Sequence, residues 1–360
     1  MNPTGPVLSC PPAPSRIAAL DGLRAIAVLL VLAGHGAAAY GLQGAVWWRV
    51  PMTNASFGVR LFFVLSGYLI TRLLLKEFQQ HGTISLKAFY IRRSLRIFPA
   101  FYFFLATVAV LAAAGWVDVS GPQWASAATY TWNYAWLWSR DGPAGGSWFL
   151  GHLWTLSLEE QFYLWWPGFI LLTGWRGARL TAWLLPVVLP LVRVASYWFF
   201  PEQRGALGMM FHTAIDSILV GCAFSLYEEK LSAWLSGKPW VPVLAAGFAL
   251  VVSPLMGARF QGAYFITMGF GLDAICAGFL ILHVKQGGAG TKALSWGPLR
   301  LVGTWSYSLY LWQQLFLTPY NTTWSGRFPA CFGALFACAL FSYYVVEQPI
   351  LRFKRHFERS

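Results

Sequence analysis

Long apolar runs separated by short polar loops make up nearly the whole chain. Runs able to cross a hydrocarbon core of about 30 Å occur near 17–39, 57–76, 98–117, 153–173, 179–200, 207–226, 240–257, 263–284, 299–318 and 330–348. Ten such runs predict an all-α, polytopic transmembrane helical bundle. The stretch from Gln123 to Trp138 is aromatic but contains Ser126, Thr129, Thr131 and Asn133. It reads as interfacial or re-entrant, with an eleventh crossing as the alternative. The Pro-rich start, 1–15, reads as a disordered tail, 16–352 as one transmembrane domain, and 353–360 as a basic cytoplasmic tail.

Composition agrees with this pattern. Charged residues are 11% of the chain and hydrophobic residues 57%, against about 25% charged for a soluble domain. The 20 tryptophans fit aromatic belts at both interfaces. A net charge of +13 could point to nucleic acid, but the basic residues fall in short loops between apolar runs. With ten crossings and both termini cytoplasmic, 18 Lys and Arg lie inside and five outside, the bias that the positive-inside rule produces. An extra crossing at 123–138 would turn the early basic loops outward. The five cysteines are scattered without metal-ligand spacing. Val7-Leu8-Ser9-Cys10 faintly resembles a lipoprotein cleavage box, yet lacks a basic and apolar lead-in, so the first span is expected to act as the insertion signal. No internal repeat is visible, which argues against an inverted-repeat transporter.

Candidate chemistry begins in the first span, which contains Asp21, Arg24 and His35. An offset of eleven positions is about three helical turns, so Arg24 and His35 share a face about 16 Å apart. A charge at mid-membrane costs about 2.5–3.5 kcal/mol on insertion scales and by default marks a site within a bundle. Imidazole suits a general base for a hydroxyl; the plainer alternative is an interfacial hydrogen bond for His35 and an i, i+3 ion pair between Asp21 and Arg24. Arg92, Arg93 and Arg96 form a second basic cluster, with Arg93 and Arg96 on one helical face and Pro99 opening the next span. A forked guanidinium pair suits phosphate, or else anchors a lipid headgroup. Glu159 and Glu160 enter the fourth span at its outer end, where a carboxylate could orient His35 or bind sugar hydroxyls. Ser157 and Glu160 also fit a helix capping box. Trp154, Tyr163 and Trp165 suit stacking on sugar rings. Arg193, Asp216 and Asp273, with His212 and Glu347 near span ends, are further polar groups available to pair with one another.

These segments together resemble the acyltransferase 3 family of integral membrane acyltransferases. The resemblance rests on Leu20-Asp-Gly-Leu-Arg24 with His35, Phe57-Gly-Val-Arg-Leu-Phe-Phe-Val-Leu-Ser-Gly-Tyr-Leu-Ile70, Arg93-Ser-Leu-Arg96, and Trp154-Thr-Leu-Ser-Leu-Glu-Glu-Gln-Phe-Tyr-Leu-Trp-Trp-Pro167. Tyr307-Ser-Leu-Tyr-Leu-Trp-Gln313 and Val346-Glu-Gln-Pro349 follow, so it spans about residues 17 to 352. It implies an enzyme of a bacterial inner membrane that transfers an acyl group, commonly acetyl, from cytoplasmic acyl-CoA to a hydroxyl of an extracytoplasmic sugar or polysaccharide. His35 would then be the catalytic histidine, Arg24 its partner, Glu160 the acid of the glutamate motif, and Arg93 and Arg96 the pair near the coenzyme phosphates. Tyr163, Trp154 and Asp216 are the expected acceptor contacts; no metal and no nucleic acid are expected. Many relatives have histidine where Gln313 stands, and an arginine where Ala214 stands, which leaves the role of Asp216 open. Some add an extracytoplasmic esterase-like domain, which the chain is expected to lack. A glycolipid transporter without acyl transfer, and a structural subunit of a polysaccharide assembly, are the competing classes.

Overall fold

The computed structural model describes residues 18–40, 46–137 and 146–354. The 1–15 tail and nearly all of 353–360 lie outside the described residues. Every regular element among the described residues is helical. Six stretches among the described residues are long and apolar enough to cross a membrane: Ala18–Ala39, Asn54–His81, Leu86–Ala113, Trp148–Phe199, Trp240–Lys285 and Ala330–Arg352. Two are too long for one crossing, because 52 and 46 residues at 1.5 Å each reach about 78 and 69 Å. Each is interrupted by a residue in the left-handed region, Gly174 at φ 68° and Gln261 at φ 49°. Both breaks fall between apolar runs that the hydropathy pattern separates.

Helix α1 (Ala18–Ala39) packs between α2 (Val46–His81) and a helix near the C-terminus. Helix α3 (Leu86–Ala113) begins at Ser85, whose hydroxyl accepts the Ala88 amide, a normal N-cap. It runs unbroken through Pro99, so Pro99 does not open a new span as the sequence suggested. The apolar residues on either side bury enough surface to hold the helix across the lost hydrogen bond; Phe89, Ile97, Ala100, Phe101 and Phe104 all face the core. Within Gln123–Trp138, α4 (Gly121–Ala128) and a 3-10 turn at Trp132–Leu137 are the observed elements. Eight residues reach about 12 Å, too little to cross.

Helix α5 (Leu153–Phe199) carries the glutamate motif. Elsewhere in the bundle, glycines stand where helix backbones touch. Where α2 crosses α6 (Asp216–Leu226), a Cβ on Gly67 would collide with the Ile218 carbonyl, and one on Gly221 with the Val64 carbonyl. Glycines at such crossings let membrane helices approach on van der Waals contact. Helix α7 (Phe270–Lys285) and helix α8 (Gly297–Phe316) complete the surroundings of the site, and Gly303 on α8 meets the Asp21 carbonyl of α1 in the same manner. One large apolar core of α3, α5 and α8 residues, including Phe101, Phe104, Trp166 and Leu309, holds these helices together.

Candidate active site

Six helices, the last of them Ala330–Arg352, enclose a cavity of about 810 Å³ whose polar wall includes Arg24, Arg93, Arg96, Glu159, Glu160 and Tyr163. The α3 capping turn decides which arginines enter it. Glu77 accepts the Ser85 amide and holds Arg92 at 3.0 Å. Arg92 is thereby tied to α2, while Arg93 and Arg96, three residues apart, turn toward the cavity. The Arg93 guanidinium lies 5.3 Å from the Tyr163 ring centroid and 5.8 Å from that of Phe89, within cation–π range. Arg24 enters from α1 and makes the i, i+3 contact with Asp21 at 3.6 Å.

On α5, the two glutamates are treated differently. Ser66 of α2 donates to Glu159 at 2.6 Å, and the Tyr163 hydroxyl donates to Ser66 at 3.1 Å. Glu160 makes no hydrogen bond or ion pair among the described residues and is left facing the cavity. Helix α5 starts at Leu153 rather than at Ser157, because the Ser157 hydroxyl donates to the Leu153 carbonyl and accepts the Trp132 amide. The capping box is therefore not formed, and Glu160 lies about 10 Å along the helix from its first residue, among the arginines rather than beside His35. A further contact pins the register: the Trp166 indole donates to Thr71 at 2.9 Å.

His35 does not line this cavity. Its Nδ1 lies 2.9 Å from Oε1 of Gln313 on α8, and its ring is 6.5 Å from that of Trp148. No hydrogen bond involves its Nε2 among the described residues. Gln313, noted in the sequence only as a missing histidine, is thus the group that orients the imidazole. A second histidine, His152, was not singled out. Oε1 of Gln314 accepts both its amide at 2.8 Å and its Nδ1 at 2.6 Å. The sequence held one clue, two adjacent glutamines in an otherwise apolar helix. At the cavity end nearest these histidines, Thr155 and Tyr310 are hydrogen-bonded at 2.7 Å.

The remaining candidates lie elsewhere. Asp216 is fully buried and bound to Arg193 at 2.7 Å, and Arg193 also donates to the Thr213 and Ile266 carbonyls. Trp154 stacks edge-on to Phe63 and lies 5.9 Å from the Arg60 guanidinium, which in turn sits 3.7 Å over Phe270. Neither Trp154 nor Asp216 lines the cavity. Arg60 is itself buried at 3% exposure and was read in the sequence only as part of a motif. Of the other polar groups, His212 meets the Tyr134 hydroxyl, and Glu347 accepts from Ser308 while lining the cavity. No group of three metal-ligating side chains occurs among the described residues.

A cavity with three guanidinium groups at one end and hydroxyls at the other suits an anionic, elongated ligand with a reactive polar tip. The family described as the acyltransferase domain, acyltransferase 3, matches residues 17–347. The peptidoglycan O-acetyltransferase OatA of Listeria monocytogenes is 29% identical over 321 residues, covering 84% of this chain and 49% of that protein. The O-acetyltransferase OatA of Staphylococcus aureus is 30% identical over 313 residues, covering 83% of this chain and 50% of that protein. The chain thus spans about half the length of these curated relatives. No solved structure matches it.

Proposed function

The chain belongs to the acyltransferase 3 family, and from that premise we propose that it is a membrane O-acyltransferase. It moves an acyl group, most simply acetyl, from cytoplasmic acyl-CoA to a hydroxyl of an extracytoplasmic polysaccharide. The names of the Listeria and Staphylococcus relatives support acetyl as the group, and the former supports peptidoglycan as the acceptor. We place the chain in a bacterial inner membrane with ten crossings and both termini cytoplasmic, residues 16–352 forming the acyltransferase domain. The breaks at Gly174 and Gln261 support the count, and the loop charges support the orientation.

Arg93 and Arg96 hold the phosphates of the donor, with bidentate, charge-assisted hydrogen bonds. Arg24 contributes a third cation, and Glu160 offers a carboxylate facing the same cavity. The thioester then points up the shared face of α1 and α8 toward His35. With its Nδ1–H donating to Gln313, the imidazole keeps a lone pair on Nε2, the form needed to take the proton of an attacking hydroxyl. Tyr163 supports Arg93, and Trp154 and Asp216 act from behind the cavity wall.

The observation that carries this reading is the common scaffold: three guanidinium groups meet in one cavity, and an imidazole oriented by an amide lies about three turns further along α1. General base catalysis contributes about 10²–10⁴-fold, so His35→Ala should lose that much turnover at an unchanged membrane level. Purified protein in lipid nanodiscs, labelled acetyl-CoA and peptidoglycan fragments supply the assay. Full turnover by His35→Ala, or no ester from the wild-type chain, would overturn the proposal.

A further inference from the structure

Helix α8 acts as a ruler between the two halves of the site. The Tyr307 hydroxyl donates to the Ile97 carbonyl at 3.1 Å, next to Arg96, and so marks the arginine end. Gln313, two turns on, holds His35. Tyr310 lies midway, about 4.5 Å of helix rise from each, and lines the cavity, whereas Gln313 and His35 do not. Of the four tyrosines on the cavity wall, Tyr163 donates to Ser66, Tyr307 to Ile97, and Tyr343 stands on the C-terminal helix beside Glu347. Tyr310 is the one set at the end nearest the imidazole. Its ring is held edge-on by Phe62 at 6.2 Å and His152 at 5.7 Å.

The protons at this end can be assigned. Thr155 donates to the His152 carbonyl at 2.9 Å, and with that proton placed its oxygen accepts the Tyr310 hydroxyl at 2.7 Å; the same hydroxyl also reaches the His152 carbonyl at 3.4 Å. Tyr310 therefore carries a donor whose resting partners are a neutral hydroxyl and, at longer range, the His152 carbonyl, exchangeable by rotation about one C–O bond. A thioester carbonyl entering from the arginine end meets this donor before anything on His35.

We propose that the Tyr310 hydroxyl is a catalytic residue of this chain, the hydrogen-bond donor to the thioester carbonyl oxygen as it becomes an oxyanion. This rests on the acyl-transfer reading above. The acceptor oxygen bonds to the carbonyl carbon while its proton passes to His35. The C–S bond then breaks, its electron pair leaves on sulfur, and His35 returns the proton to the thiolate. Tyr310 donates a hydrogen bond throughout and loses no proton. Thr155 is a positioning residue that keeps the phenol aimed between turnovers.

The test is initial-rate kinetics of ester formation by the full chain in nanodiscs, with acetyl-CoA varied, alongside direct acetyl-CoA binding. Loss of one oxyanion donor costs about 10²–10³-fold in kcat, so Tyr310→Phe should show that loss with an unchanged dissociation constant for acetyl-CoA. Thr155→Val should lose less than about tenfold, since it removes only the resting partner. A fluorinated tyrosine at 310, nearly isosteric, should shift kcat through hydroxyl donor strength and covers the case of a misfolded Phe variant. Wild-type kcat in the fluorinated or Phe protein, or loss of acetyl-CoA binding together with turnover, would overturn the assignment while leaving acyl transfer intact. An inactive wild-type chain would remove the functional reading itself, and this proposal with it.

Discussion

Two regions of this bundle bury arginine near carboxylate, and they are built on opposite plans. In one, Arg193 and Asp216 are both fully buried and close on each other at 2.7 Å. Arg193 also donates to the Thr213 and Ile266 carbonyls and keeps one terminal nitrogen without a partner among the described residues, and the second Asp216 oxygen accepts the Ser217 amide. In the other, Arg93 and Arg96 share a cavity with Glu160, which forms no ion pair or hydrogen bond among the described residues. The first region joins α5, α6 and the segment before α7; nothing there faces open space. The second leaves donor capacity directed into open space. Buried charge in a membrane therefore marks a ligand site where it opens onto a cavity, and a structural pair where it closes on its counter-ion with no space beside it.

That contrast is broken most severely from the closed side. Asp216→Ala leaves Arg193 as an uncompensated charge, which costs about 3–5 kcal/mol, so thermal unfolding in detergent should shift far downward and little folded protein should be recovered. The open side should answer differently. Arg96→Ala removes a cation without stranding a partner, so unfolding should stay near wild type. Loss of one charge-assisted contact, about 1.5–3 kcal/mol, should weaken acetyl-CoA about 10–100-fold by isothermal titration. An Arg96→Ala protein that unfolds like Asp216→Ala would erase the distinction between the two regions.

The difference between the regions was only half legible in the sequence. Spacing alone puts Arg93 and Arg96 on one face, and apolar runs of membrane length locate most helices, including the break at Gly174. Periodicity says which face of a helix a residue occupies but not where the helix begins. The run from 153 agrees with the helix start at Leu153, whereas the capping box offered by Ser157 and Glu160 does not form, because the Ser157 hydroxyl is bonded to Leu153 and Trp132. Pairings across the fold are invisible to local pattern. His35 and Gln313 are 278 positions apart, and the sequence offered Arg193, Asp216 and Asp273 as groups to pair without saying which two would close on each other. Arg60 passed unnoticed because it sits inside an apolar motif that otherwise explains itself.

The finest test of the open region is Tyr163, where two roles can be separated. Its hydroxyl donates to Ser66, which holds Glu159, while its ring lies under the Arg93 guanidinium. Tyr163→Phe deletes the first role and keeps the second. A hydrogen bond of this kind is worth about 0.5–1.5 kcal/mol net, so unfolding should shift only slightly and acetyl-CoA affinity should stay within a few-fold. Tyr163→Leu removes the ring as well, and the loss of a desolvated cation–π contact, about 2 kcal/mol, should weaken acetyl-CoA further. The comparison of the two variants in one titration thus measures the ring alone. Equal affinity in Phe and Leu would mean that Arg93 needs no aromatic support, and that its position is set by α3 and by the charges around the cavity.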